Sequence, residues 1–141
     1  MESMHFLLMK AQVLLQHRIY TEAAGLGLSP GQPKILEYLS SHEGSDQKTI
    51  AAYCEIEQAT VGSILLRMEN SGLIERRQQP GNRRSLFVYL TENGRRAAQK
   101  LESVFADAEQ EALQSFSEDE KEQFRSSLDK ICYTLKGGIK K

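Results

Sequence analysis

Residues 45–94 constrain this chain most: "SDQKTIAAYCEIEQATVGSILLRMENSGLIERRQQPGNRRSLFVYLTENG" holds two short runs of helical periodicity and then, with no linker, two extended runs about a turn. In the first, Ile50, Ala51 and Cys54 can share a core face, and Asp46 or Ser45 is placed to cap a short helix ending at Cys54. After three or four residues a longer helix begins at about Gln58. There Val61, Ile64, Leu65 and Met68 form an inward stripe and leave Gln58, Thr60, Ser63 and Arg67 outside. Gly72 ends it, in the position where a left-handed backbone suits glycine. Two helices joined this tightly make a helix-turn-helix candidate.

The extended runs follow at once. Leu86, Val88 and Leu90 alternate with Phe87 and Tyr89, the pattern of a strand. Leu73 and Ile74 begin a second strand that turns polar at Glu75, Arg76, Arg77 and Gln78, and Pro80-Gly81-Asn82 supplies the bend. The product is a two-stranded hairpin with arginines 76, 77, 83 and 84 toward its tip. Two strands alone are marginal, so they must pack on the helices as a wing. An arginine at such a tip can enter a narrow minor groove while its neighbours neutralise phosphates. The bland account is a solvated basic loop that keeps an edge strand from aggregating. Small polar side chains near the start of the second helix suit base edges. Because Glu57 is a poor cap, the early N–H groups are left for a phosphate or for water.

Net charge is only -1, yet its distribution is uneven. Arg67 to Lys100 carries eight Lys/Arg against three Asp/Glu, whereas Glu102 to Asp129 carries nine acids against two bases. A polyanion-binding segment beside a separate solvated module would look like this. The length of 141 residues suits one domain, and no repeat or low-complexity tract appears. Cys54 and Cys132 are too few and too far apart for a disulfide framework or a metal-ligand pair, and both read as reduced and structural. His5, His17 and His42 lack partnering ligands, so no metal site and no cofactor are expected. No nucleophile with a base, phosphate-cradling loop or spaced carboxylate pair suggests an enzyme. The start "MESMHFLLMKAQVLL" lacks an apolar run long enough for a signal peptide or a membrane span, which predicts a cytoplasmic protein without membrane attachment.

Most of the remaining chain reads as helix. Residues 4–23 place Phe6, Met9, Val13 and Leu14 at helical spacing beside Leu7, Leu15 and Ile19, a stripe broad enough to meet a second chain. In "GLGLSPGQPKILEYLSSHEG", Ser29 and Gln32 have the form of a capping box, but Pro33 restricts Gln32, so the regular helix is expected to begin after the cap. Leu101, Phe105, Ala108, Ala112 and Phe116 lie on one further stripe. Phe124, Leu128, Ile131 and Leu135 lie on another, which starts at a Ser117–Glu120 capping box.

These residues carry a family resemblance. The run "QATVGSILLRMENSGLIERR", the basic wing and "VYLTENGRR" resemble the recognition helix, wing and Leu-Thr-x-x-Gly entrance to a long helix of MarR-type winged helix-turn-helix transcriptional regulators. "LSPGQPKILEYL" is similar to that family's second helix, so the likeness covers nearly the whole chain. It implies a mainly α fold with a small β-hairpin wing, in which about residues 28–92 bind DNA and about 1–24 and 93–141 form dimerisation helices. It also implies a homodimer on double-stranded DNA with an imperfectly palindromic target. Residue by residue, it implies major-groove contacts from Gln58, Ala59, Thr60 and Ser63, with Arg67 nearer a phosphate. Arg84 takes the place of the arginine that enters the minor groove. Where the family usually has an aspartate two residues earlier this chain has Asn82, which cannot form a charged pair with Arg84; Arg83 then stands to share the groove role, beside Arg76 and Arg77.

Members of the family often bind small aromatic or phenolic effectors, and the candidate pocket here is His17, Tyr20 and Tyr38, which amphipathic packing explains equally well. The function expected is repression relieved by such an effector. The alternatives are an activator of the same fold and a winged helix that binds a protein partner.

Overall fold

Over most of the chain the backbone follows the helical spacing and the alternation of the sequence. The computed structural model describes residues 1–138, apart from the side chain of Arg83. In chain order the elements are α1 (Met4–Ala24), α2 (Gln32–Leu39), β1 (Ser45–Asp46), α3 (Gln47–Cys54), α4 (Gln58–Asn70), β2 (Ile74–Gln79), β3 (Asn82–Leu90), α5 (Glu92–Ala112) and α6 (Glu118–Leu135). They fall into two units, Met1–Ala108 and Glu109–Lys141.

The core of the first unit is built from the inward stripes. Ile35, Leu36 and Leu39 of α2, Ile50 of α3, Val61, Leu65 and Met68 of α4, Val88 of β3 and Leu101 of α5 are each at most 1% exposed. Burying each such side chain is worth about 1.5–3 kcal/mol, which holds short helices that would not persist alone. Ile64, expected inside, packs half-buried at the core's edge. On α1, Ala23 is buried and Ile19 packs on the core, but Phe6, Leu7, Met9, Val13 and Leu14 are exposed.

Capping decides where the helices start. The Ser29–Gln32 box forms by half: Gln32 Oε1 accepts from the Ser29 N–H at 3.2 Å, while the residue preceding α2 is Gly31, with no side-chain cap bond. Pro33 near the start of α2 explains why the regular helix waits until Gln32. At α5, Thr91 Oγ1 accepts from the Gly94 N–H at 3.1 Å and donates to the Gly72 carbonyl at 2.5 Å, so one hydroxyl closes the end of α4 against the start of α5. Gly94 has no alternative there, because a Cβ on it would lie 2.0 Å from the Leu73 carbonyl oxygen.

The sheet corrects the sequence reading. It has three strands, not two: β1 and β2 both pair antiparallel with β3, in the order β1-β3-β2. Ser45 and Asp46 stand opposite Val88 and Phe87, and the Gly44 N–H donates to the Val88 carbonyl at 2.8 Å. A two-residue strand has no period to detect, and only the free edge of β3 turns that stretch into one. Leu86, expected to alternate inward with Val88 and Leu90, is 44% exposed because the hairpin has by then left the core.

In the second unit, α6 opens with the expected capping box, both of its bonds present at 3.1 and 2.8 Å. Phe116 is a second correction. α5 ends at Ala112, so Phe116 lies in the connection rather than on a helical stripe, with its ring 5.9 Å from that of Phe124. Phe124, Leu128 and Ile131 are 41%, 36% and 43% exposed, and no residue of α6 is buried.

Candidate nucleic-acid interface

Asp46 begins the site. Its Oδ1 accepts from the Thr49 N–H at 2.9 Å and caps α3, and hydrogen bonds from the Thr49 side chain and backbone hold the carboxyl below its ordinary range. The turn that follows is tight because Glu55 adopts the left-handed region at φ 56°, with the Ile56 N–H returning to the Ala51 carbonyl at 3.0 Å. Glu57 makes no side-chain cap bond to α4, as its side chain led us to expect.

The angle between the two helices has a second support. Gln47 Nε2, at the first residue of α3, donates to the Gln58 carbonyl at the first residue of α4, at 2.9 Å. A Cβ on Gly62 would come within 2.9 Å of that same nitrogen, so glycine leaves the room the bridge needs. Nothing in the periodicity singles out Gln47 or Gly62; only the approach of α3 to α4 does.

α4 then divides by face. Val61, Leu65 and Met68 are fully buried, whereas Gln58, Ala59, Thr60, Ser63 and Arg67 are all exposed. The Ser63 hydroxyl donates to the Ala59 carbonyl at 3.3 Å and keeps its lone pairs for an outside donor. Leu66 shares the exposed side; the sequence reading assigned it to neither face of this helix.

The wing arginines separate into two kinds. Arg76 is largely buried and pairs with Glu69 of α4 at 3.7 Å; Arg77 Nε donates to Glu75 at 2.8 Å while its guanidinium lies 4.3 Å from the Tyr89 ring centroid. Both arginines of β2 are thus engaged within the protein. Arg84 is exposed and its side chain makes no hydrogen bond or ion pair among the described residues, and the side chain of Arg83 lies outside them. Asn82 Oδ1 accepts from the Ser85 N–H at 3.3 Å, so the asparagine ties the start of β3 without a charged partner. On β2 the register shifts between Arg77 and Gln79, a bulge that re-aims the tip.

Of the candidate effector residues, Tyr38 lines a cleft of about 450 Å³ with Lys34, Glu37, Ser41, His42, Tyr53 and Cys54. Its ring stacks on His42 with centroids 4.5 Å apart. His17 is exposed on α1, and Tyr20, half-buried there, accepts from Gln16 Nε2 at 2.8 Å; neither lines that cleft. The Cys54 thiol is pushed up by burial, with Lys34 opposing and Glu37 adding to the shift, so it stays neutral at neutral pH. Among the described residues no group of three or more His, Cys, Asp or Glu is placed to hold a metal, and no helix is long and apolar enough to cross a membrane.

Known proteins share this architecture. The MarR family model matches residues 28–86, which span α2 through most of the wing. The HTH-type transcriptional regulator BilQ of Clostridium symbiosum is 27% identical over 108 residues, covering 77% of this chain and 75% of that protein. The HTH-type transcriptional repressor Rv2887 of Mycobacterium tuberculosis is 24% identical over 126 residues, 89% of this chain and 91% of that one. Solved structures of Rv2887 with DNA and with salicylic acid match with TM-scores of 0.76 and 0.75 at 21% and 23% identity, covering 93% of this chain and 98% and 97% of theirs. The S. aureus MepR–DNA complex matches with a TM-score of 0.86 at 24% identity, over 95% of this chain and 99% of that one. The relatives are named as transcriptional regulators and repressors, and the helix-turn-helix and wing of this chain, which lie largely within the stretch that matches the MarR family model, are similar to theirs.

Proposed function

We propose that the protein is a homodimeric, sequence-specific DNA-binding repressor released by a small-molecule effector and working in the cytoplasm. The observation that carries this reading is the pairing, within one unit, of an exposed polar face on α4 with an exposed Arg84 beyond the wing's internal ion pairs. A helix of this size fits the major groove, and an arginine on a β-ribbon beside it reaches the adjacent minor groove. Gln58, Ala59, Thr60 and Ser63 then meet base edges, Arg67 a phosphate, and Arg83 and Arg84 the minor groove. Arg76 and Arg77 shape the wing and add positive potential from its flank. The name of Rv2887 as a repressor and its structures with DNA and with salicylic acid support repression and an effector.

The exposed apolar faces of α1 and of α6 supply dimerisation surface, leaving about residues 28–92 to bind DNA. A two-fold dimer sets its recognition helices about 34–36 Å apart and favours an imperfect palindrome. An effector that prefers another spacing releases the DNA; a coupling of about 1–3 kcal/mol changes affinity roughly 5- to 150-fold. Tyr38 is the residue through which the cleft joins this scheme, with His17 and Tyr20 as further candidates on α1.

The test is fluorescence anisotropy with duplex DNA from upstream of the protein's own gene against scrambled duplex, across a salt series. Tight, salt-sensitive binding that prefers the upstream duplex is expected. Arg84→Ala weakens it and reduces the salt slope by about one per protomer, whereas Gln58→Ala changes sequence preference more than slope. Weak, salt-insensitive binding to both duplexes would discard the reading in favour of a protein partner.

A further inference from the structure

Ala59, Ser63, Leu66 and Asn70 succeed one another on α4 at spacings of four, three and four residues, and so form a single stripe along the helix. All four are exposed. Leu66, at 53% exposed, is the large apolar member, and the core beneath is already filled by Leu65 and Met68. Its exposed neighbours along the helix, Ser63, Arg67, Glu69 and Asn70, are polar, so on this face of α4 Leu66 is a single apolar side chain. Protein interfaces need a patch. The major groove offers a target of matching size, because the thymine C5-methyl is the apolar group among its base-edge donors and acceptors.

We infer that Leu66 determines sequence preference by packing on a thymine methyl in each half-site, an inference that rests on the DNA-binding reading above. A leucine offers no hydrogen bond, so a guanine or cytosine placed there would leave its groove-edge polar groups facing an apolar side chain. The thymine pair keeps its own polar groups beside water at the edge of the contact and presents the methyl. From Ala59 to Leu66 the helix rises about 10 Å, so the base pair that Leu66 meets lies about three base pairs from the one beside Ala59. Polar readout by Gln58, Thr60 and Ser63 therefore sits toward one end of the half-site and methyl readout toward the other.

The experiment uses the full-length protein and a duplex selected by it from a randomised library, with deoxyuridine substituted for each thymine in turn. Deoxyuridine removes the methyl and leaves base pairing intact. Wild type is expected to lose affinity roughly fourfold per half-site at one symmetry-related pair of positions, about the value of one buried methyl. Leu66→Ala is expected to bind the thymine and deoxyuridine duplexes alike, and Leu66→Gln to shift the selected base at that position. Because Leu66 is exposed, both variants should keep the wild-type circular dichroism and melting profile. Insensitivity of wild type to every deoxyuridine, or an unchanged sensitivity in Leu66→Ala, would overturn the assignment while leaving DNA binding intact. Failure to select any duplex would instead bring down the DNA-binding reading, and this one with it.

Discussion

At Gly94 a single hydrogen atom decides how α5 leaves the sheet. The helix begins against the Leu73 carbonyl, which accepts from the Thr91 N–H at 3.1 Å while the Thr91 hydroxyl closes the turn below it. Gly94→Ala would set a methyl 2.0 Å from that oxygen, and backbone cannot step aside as a side-chain tip can. The variant should therefore lose at least the roughly 1–3 kcal/mol typical of overpacking, measured as a lower urea midpoint. An unchanged midpoint would mean that the α5 start is looser than the Thr91 bonds imply. The Leu-Thr-x-x-Gly run was legible as a family pattern in the sequence, but its reason lies in the distance between two segments about twenty residues apart. Arg76 teaches the same lesson from the other side. It read as one of four arginines toward the tip of the wing, yet its place opposite Val88 brings it to Glu69 of α4.

Among the elements, α3 shows how a cap ties stability to pH. The Asp46 carboxyl is held below its usual range mainly by hydrogen bonding from Thr49. A carboxylate shifted down in the folded state stabilises it above the unfolded pKa, near 4, and loses that contribution as pH falls through the folded value. Asp46→Ala should cost about 1 kcal/mol at pH 7, the usual worth of an N-cap, and the gap from wild type should shrink as the pH is taken below the ordinary carboxylate range and the cap protonates. A gap constant with pH would show that the cap acts through shape rather than charge. Elements of this kind were largely readable beforehand. The α4 stripe, the α6 capping box and the Pro-Gly turn each depend on residues within one or two turns of one another. β1 was not, since two residues become a strand only beside β3.

For the whole molecule, the unspent apolar surface is the leading fact. Phe124, Leu128 and Ile131 of α6, and Phe6, Val13 and Leu14 of α1, are more exposed than a lone chain in water would favour. If these faces meet a second copy, Ile131→Glu should convert a dimer to a monomer in analytical ultracentrifugation and weaken operator binding by at least tenfold, because two half-sites would no longer be held by one particle. A variant that sediments like wild type would remove α6 from the interface. The monomer should still fold, because Ile131 lies on a helix with no buried residue. The sequence by itself determined what local spacing encodes: which faces of the helices are apolar, where they are capped, where the hairpin turns and where the positive charge collects. Only the tertiary structure decided the Gln47 bridge to Gln58, the pairing of Arg76 with Glu69 and the packing of Arg77 on Tyr89, the Tyr38–His42 cleft and the exposure of Leu66. Those depend on which surfaces approach across space, and periodicity along one chain carries no record of the distance between two of its segments.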